Sequence, residues 1–239
     1  MNHTSQIDRI RKATYPGRGI VIGQSPDQSR ILQVYWIMGR SEGSRNRIFI
    51  HEKDTVRTWA FDESIVPDLS LVVYHPIRIH GACHIVTNGD QTDTIVDHLS
   101  QGGTFESALD TRSFEPDPPI LTPRISGIVD LDDENVAYRL AVLKTVGKSA
   151  DHPTRHYFTY ERFLPGYGHC ITTYDDNGDP VPSFSGEPYL VELTNDPNET
   201  AQIFWDALYE DNRVSLLVKS IRADGSSDII LINKHQIDL

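Results

Sequence analysis

Cysteine is scarce in this chain, with Cys83 and Cys170 the two present among 239 residues. Each lies inside an apolar run, and neither belongs to a Cys-x-x-Cys or Cys/His ligand spacing. The pair therefore reads as packed, reduced thiols, which excludes a disulfide framework and a zinc site. Basic charge is in deficit as well: 22 Lys and Arg stand against 34 Asp and Glu, for a formal net charge of −12. Phosphate backbones demand a basic face, so nucleic acid is not an expected partner. No apolar run approaches the roughly 20 residues that span a bilayer, so no membrane is expected either. Met1 to Lys12 is polar and lacks the apolar centre of a secretion signal, which makes the expected location cytoplasmic. Histidine is present at ten positions but never as HxH or HExxH, and His75, His80 and His84 fall at irregular strand spacings. No metal and no cofactor is expected.

Against that anionic background, four arginines gather in two short stretches between Tyr15 and Arg47. They occupy Tyr15-Pro16-Gly17-Arg18-Gly19 and Gly39-Arg40-Ser41-Glu42-Gly43-Ser44-Arg45-Asn46-Arg47. Guanidinium forks match phosphate oxygens and keep their charge near neutral pH. Neighbouring glycines let backbone N–H groups approach the same anion. Two readings stay open on these residues alone, a site for a small phosphorylated substrate and a solvated basic turn.

Apolar and β-branched runs dominate the rest. Strands are predicted at Gly19–Gly23, Ile31–Met38, Ile48–His51, Val56–Ala60, Leu69–Ile79 and Ala82–Thr87. More follow at Ile125–Asp130, Val136–Val146, His156–Tyr160 and Gly168–Tyr174, with a closing hairpin of Arg213–Ile221 and Asp228–Asn233. Helices are few: Thr92–Leu99, Phe105–Leu109 and Glu199–Tyr209. The pattern predicts an α+β fold of two stacked, mainly antiparallel sheets with helices on the outer faces. A single domain over 1–239 is expected, with 1–14 as a polar N-terminal extension.

Several motifs in order resemble the archaeal-type IMP cyclohydrolase family. They are Tyr-Pro-Gly-Arg-Gly at 15–19, Arg40-Ser41 with Arg45-Asn46-Arg47, Tyr74 in Val-Tyr-His-Pro-Ile-Arg, Thr87-Asn88-Gly89-Asp90-Gln91-Thr92-Asp93, and Thr122-Pro123-Arg124-Ile125-Ser126-Gly127. The resemblance runs from about Tyr15 to Gly127 and more loosely beyond. It implies a four-layer αββα sandwich similar to N-terminal-nucleophile hydrolases, here without the processed nucleophile, since Gly17 and Arg18 precede the first strand. The implied activity is dehydrative closure of formamido-imidazole-carboxamide ribonucleotide (FAICAR) to IMP, the last step of purine nucleotide synthesis. The implied partner is thus a small ribonucleotide, and homo-oligomers are a further possibility for a two-sheet enzyme. Segments 163–168 and 182–188 are distinctive and carry no assigned role.

Candidate roles follow from that chemistry. Arg18, Arg45 and Arg47, with Asn46 between the latter two, would hold the 5′-phosphate. Arg40 would face the carboxamide or formyl oxygen, or else snorkel to water at a strand end. Tyr74 would donate to the formyl oxygen, or pack as an ordinary core phenol. Glu115, in the stiff Pro116-Asp117-Pro118-Pro119 loop, is the candidate proton carrier, with Arg124 lowering its pKa and favouring a base. Asn88 and Thr92, at the entry to a helix, would read a carboxamide or ribose hydroxyl, while Asp90 and Asp93 read as turn and capping residues. Two alternatives are a non-catalytic purine-nucleotide-binding protein and an amide hydrolase with Thr14 as processed nucleophile.

Overall fold

The computed structural model describes residues 5–66, 72–147 and 149–235. Six strands, numbered in chain order, form one antiparallel sheet: β11 (Tyr189–Glu192), β10 (Tyr167–Thr172), β1 (Gly19–Gln24), β2 (Ile31–Met38), β12 (Arg213–Ile221) and β13 (Ser227–Asn233). The second sheet runs β3 (Ile48–Glu52), β4 (Thr55–Trp59), β5 (Ile77–His80), β6 (Cys83–Thr87), β7 (Arg124–Asp130), β8 (Tyr138–Thr145) and β9 (Pro153–Tyr160), again antiparallel.

The sequence of β2, Ile-Leu-Gln-Val-Tyr-Trp-Ile-Met, explains why it sits centrally. Its apolar residues are continuous, so both faces must be covered. Trp36 points to one side and stacks on Phe204 of α5 (Pro197–Ala207), with ring centroids 6.1 Å apart. Gln33, on the opposite face, donates from Nε2 to the His84 carbonyl of β6 at 2.9 Å. That second face is the interior between the sheets, where Ile20, Ile22, Val86, Ile125, Val129, Leu140 and Val142 are buried together.

On the outer side of the second sheet, α3 (Gln91–Ser100) and α4 (Phe105–Asp110) bury Ile95, Phe105 and Leu109 against Ile85, Ile128 and Leu143. A capping box between Thr104 and Ser107 starts α4. Asp196 caps α5 by accepting from the Asn198 N–H, with Pro197 at the first helical position. The layers are therefore helix, sheet, sheet, helix, as expected.

Four elements were not anticipated: α1 (Ile7–Lys12), α2 (Glu42–Arg45), a single 3-10 turn at Glu63–Ile65, and β11. Helix α1 lies inside the segment read as a polar extension. It buries Ile10 and sets Arg9 over the Tyr189 ring at 4.4 Å, paired with Asp175 at 2.9 Å. The strand expected over Leu69–Ile79 begins only at Ile77; Leu69, Ser70 and Leu71 lie outside the described residues. Tyr74 is therefore not in a strand. Its backbone is fastened to β4, with Tyr74 N–H donating to Thr58 Oγ1 and Thr58 N–H donating to the Tyr74 carbonyl, both at 2.9 Å. Among the described residues, no helix is long and apolar enough to cross a membrane.

Candidate active site

A cavity of about 690 Å³ lies at one end of the sheet pair. Its wall is built where strands begin or end: Tyr15 and Arg18 before β1, Arg40 after β2, Arg47 before β3, Gly89 and Asp90 after β6, Arg124 at the start of β7, and Tyr174 after β10. Tyr74 and Glu115 complete it from connecting segments. Gly17 shapes the approach of the first of these segments. Its φ is +72°, and an added Cβ would lie 2.1 Å from Thr173 Oγ1, so glycine alone fits.

Arg18 and Arg47 form the electrostatic centre. Each keeps a buried Nε without a hydrogen-bond partner. Burial, followed by the Arg18 charge, lowers the Arg47 pKa. Burial also works against the Arg18 charge, but Glu115 and the phenols of Tyr15, Tyr74 and Tyr35 outweigh it, and its pKa is raised. Two cations held close in a low-dielectric wall await an anion.

Glu115 faces them. Its carboxyl pKa is raised, because burial outweighs the opposing pull of Arg18, Arg124 and Arg47. This reverses the sequence expectation that a neighbouring arginine would lower it. Arg124, the arginine expected to lower it, has its Nη1 committed to Asp90 Oδ1 and Gln91 Oε1, each at 2.7 Å. Asp90 also accepts from Arg112 at 2.5 Å, and its pKa is lowered despite burial by the two guanidinium groups. It is an ion-pair partner rather than the plain turn residue expected. The loop carrying Glu115 is closed by Asp117, which accepts from Thr122 N–H at 2.7 Å and Thr122 Oγ1 at 2.5 Å. A methyl group on Gly89 would come within 2.8 Å of Arg124 Nη1 and 3.7 Å of Glu115 Oε1. Glycine at 89 is thus what lets this pair of walls close.

Tyr74 is buried and shares a 2.6 Å hydrogen bond with the Tyr35 hydroxyl of β2. Arg40 is exposed at the rim. It donates to Asn177 Oδ1 at 2.6 Å and the Gly178 carbonyl at 3.0 Å, and lies 4.7 Å over the Tyr15 ring. Tyr15 in turn stacks on Tyr174 at 5.7 Å.

Of the ten residues expected at a site, Arg18, Arg40, Arg47, Tyr74, Asn88, Glu115 and Arg124 line this cavity. Arg45, Asn46 and Thr92 do not. Arg45 turns back to the Gly39 carbonyl at 3.1 Å and Asn212 Oδ1 at 2.8 Å, tying α2 to the start of β12. Asn46 is buried and exchanges two hydrogen bonds with the backbone of Asp62, both at 2.7 Å. Thr92 is buried, donating to the Gly89 carbonyl at 2.9 Å and lying 2.5 Å from Thr87 Oγ1. Asn88 touches the cavity, but its amide already serves Pro123, Gln91 and Ile125. Tyr15 stood in a quoted motif without a role, and Tyr174 had no sequence signal. Thr14 is absent from the cavity wall, and its N–H donates to Asp176 at 2.8 Å. Among the described residues, no group of three or more His, Cys, Asp or Glu is placed to hold a metal.

The sequence profile described as IMP cyclohydrolase-like protein matches residues 15–225, a span that contains every wall residue named above. The chain belongs to that family. An IMP cyclohydrolase from Methanopyrus kandleri is 31% identical over 189 residues, which is 71% of this chain and 89% of that protein. Among solved structures, a Silicibacter pomeroyi protein from the DUF1028 family aligns over 91% of this chain and 82% of its own at 12% identity. Its TM-score of 0.29 is too low to carry weight. For a member of the IMP cyclohydrolase-like family, the arrangement of paired cations, a half-buried carboxyl and a phenol offers anion binding, proton transfer and oxyanion stabilisation in one cavity.

Proposed function

We propose that this protein is an IMP cyclohydrolase, closing FAICAR to IMP with loss of water. The observation that carries the reading is the pair of half-buried guanidinium groups, Arg18 and Arg47, each with a buried, unpartnered Nε, set against the Glu115 carboxyl in one cavity. The cations suit a ribonucleotide phosphate, and the carboxyl suits proton transfer.

Ring closure forms a bond between the carboxamide nitrogen and the formyl carbon. The formyl oxygen leaves as water, taking one proton from the attacking nitrogen and one from the formamido nitrogen. Both reacting groups sit on one imidazole, so fixing them in contact supplies much of the acceleration. Tyr74 donates to the formyl oxygen as charge develops there. Glu115 accepts the proton from the attacking nitrogen and returns it to the departing hydroxyl, a double duty that its raised pKa suits. Arg124, held by Asp90 and Gln91, keeps a positive wall beside the carboxyl.

Purified protein supplied with FAICAR is expected to form IMP, followed by absorbance and by chromatography of the product. Folded protein that produces none overturns the assignment. IMP binding without turnover would instead favour a nucleotide-binding role. The processed-amidase alternative is tested by intact mass, where loss of the first 13 residues would be needed to expose Thr14.

A further inference from the structure

We infer that Tyr35 is a positioning residue that fixes the direction of the Tyr74 hydroxyl proton, so that Tyr74 meets the substrate as a donor. This rests on the cyclohydrolase reading and assigns a part of the reaction to a residue that does not line the cavity.

Tyr35 lies in the middle of β2, where it pairs with Ile20 of β1 on one side and Leu217 of β12 on the other. Its ring faces the second sheet, 5.8 Å from Phe49, and is fully buried. Among the described residues, its hydroxyl makes one hydrogen bond, the 2.6 Å contact with Tyr74. A phenol carries one proton and can accept twice. A buried O–H with no acceptor costs free energy, so the Tyr35 proton must point at the Tyr74 oxygen. Tyr74 cannot then donate along the same line. Its own proton turns to the cavity side.

What waits there fits a donor. Arg18 and Arg47 present only N–H groups, so they cannot accept from Tyr74. The Asn88 side-chain oxygen is already taken by Gln91 and Ile125. Among the charged groups that act on Tyr74, Glu115 alone can accept, and a ligand oxygen in the cavity can do the same. Thr58 holds the Tyr74 backbone on both its N–H and its carbonyl, which fixes the point from which the ring extends. A donor held in place before the reaction needs no reorganisation when negative charge appears on the formyl oxygen. Burial raises the phenol pKa of both tyrosines, which keeps both protons in place at neutral pH.

The test is a double-mutant cycle with FAICAR. Tyr35→Phe, which removes one oxygen and keeps the ring, is expected to lower kcat about tenfold with KM unchanged. Tyr74→Phe is expected to lower it further, and the double variant is expected to match Tyr74→Phe alone, because Tyr35 acts only through Tyr74. Wild-type kcat in Tyr35→Phe, or a double variant whose loss is the product of the two, overturns the inference. Should Tyr35→Phe fail to fold, 3-fluorotyrosine at position 35 is the second probe. Its more acidic phenol is expected to shift the pH profile of kcat, and an unshifted profile overturns the inference. Wild-type protein that neither forms nor binds IMP removes the cyclohydrolase reading and this inference with it. Turnover with an indifferent Tyr35 removes this inference alone.

Discussion

Polar groups are buried at both ends of the space between the two sheets, and the ends treat charge differently. At the cavity end, Arg18 and Arg47 keep their guanidinium charges although each has an unpartnered, buried Nε. Toward the opposite end, Lys219 of β12, His84 of β6 and Gln33 of β2 also carry unpartnered side-chain atoms. None of those three lines the cavity. Lys219 is fully buried, and that burial pushes its pKa down to about 7, against the pull of Asp54. Burial, then the nearby Lys219, pushes His84 down to about 3. The closed end is therefore driven toward neutrality, whereas the open end keeps two guanidinium charges beside Glu115. Burial of polar atoms alone does not mark a site; charge kept against burial, facing a space a ligand can enter, does.

The sharpest way to break this comparison is to neutralise the carboxyl at the open end. Glu115→Gln is expected to lower kcat on FAICAR by about 10²–10⁴-fold. It should not lower stability, because a carboxyl whose pKa is raised in the folded state is a net burden above that pKa. Steady-state kinetics and thermal melts measure both halves, and a variant with near wild-type kcat would remove Glu115 from the chemistry.

At the closed end the expected effect is on stability alone. Lys219→Met should stabilise the protein by about 1–4 kcal/mol at pH 7, since an apolar side chain replaces a buried amine without a partner. The pH sign is definite. The folded pKa is about 7 and the unfolded value is 10.5. Between those values the unfolded chain holds a proton that the folded chain does not, so wild-type stability gains from this group as pH rises from 7 toward 10.5. The gain of Lys219→Met over wild type should shrink across that window in urea titrations, and a constant difference would contradict the assignment.

Arg47→Met returns to the open end. It should weaken IMP binding by about 1.5–3 kcal/mol, read by calorimetry. The ligand-free protein should melt no lower, because one of two repelling, half-buried cations is gone. The smallest effect is expected from Arg45→Ala. Loss of its bonds to Gly39 and Asn212 should cost about 0.5–1.5 kcal/mol of stability and leave KM unchanged. A raised KM would return Arg45 to the phosphate site.

Much of the fold was legible because strand periodicity is local. The continuous apolar run of β2 and the hairpin around Asp224-Gly225 needed no tertiary knowledge. Short elements escaped for the same reason. Helix α2 is four residues held by a Ser41–Ser44 capping box, and β11 gains its status only by pairing with β10. The arginine cluster was visible as composition, but which arginine turns inward was not. Arg45 and Arg47 are two residues apart, yet one reaches Asn212 and the other the cavity, a choice made by the α2 turn. The direction of the Glu115 shift was also hidden in sequence. It depends on how far the folded chain buries the carboxyl against the pull of Arg18, Arg124 and Arg47, which come from separate segments.

The wall of the cavity draws on chain segments from Tyr15 to Tyr174, with no two neighbouring strands of one sheet supplying it alone. Such a pocket has no half-built form. It comes into being only when both sheets have closed on each other, through pairings distant in sequence. A nucleotide that binds it therefore recognises the finished molecule and should slow global unfolding rather than merely quiet a loop.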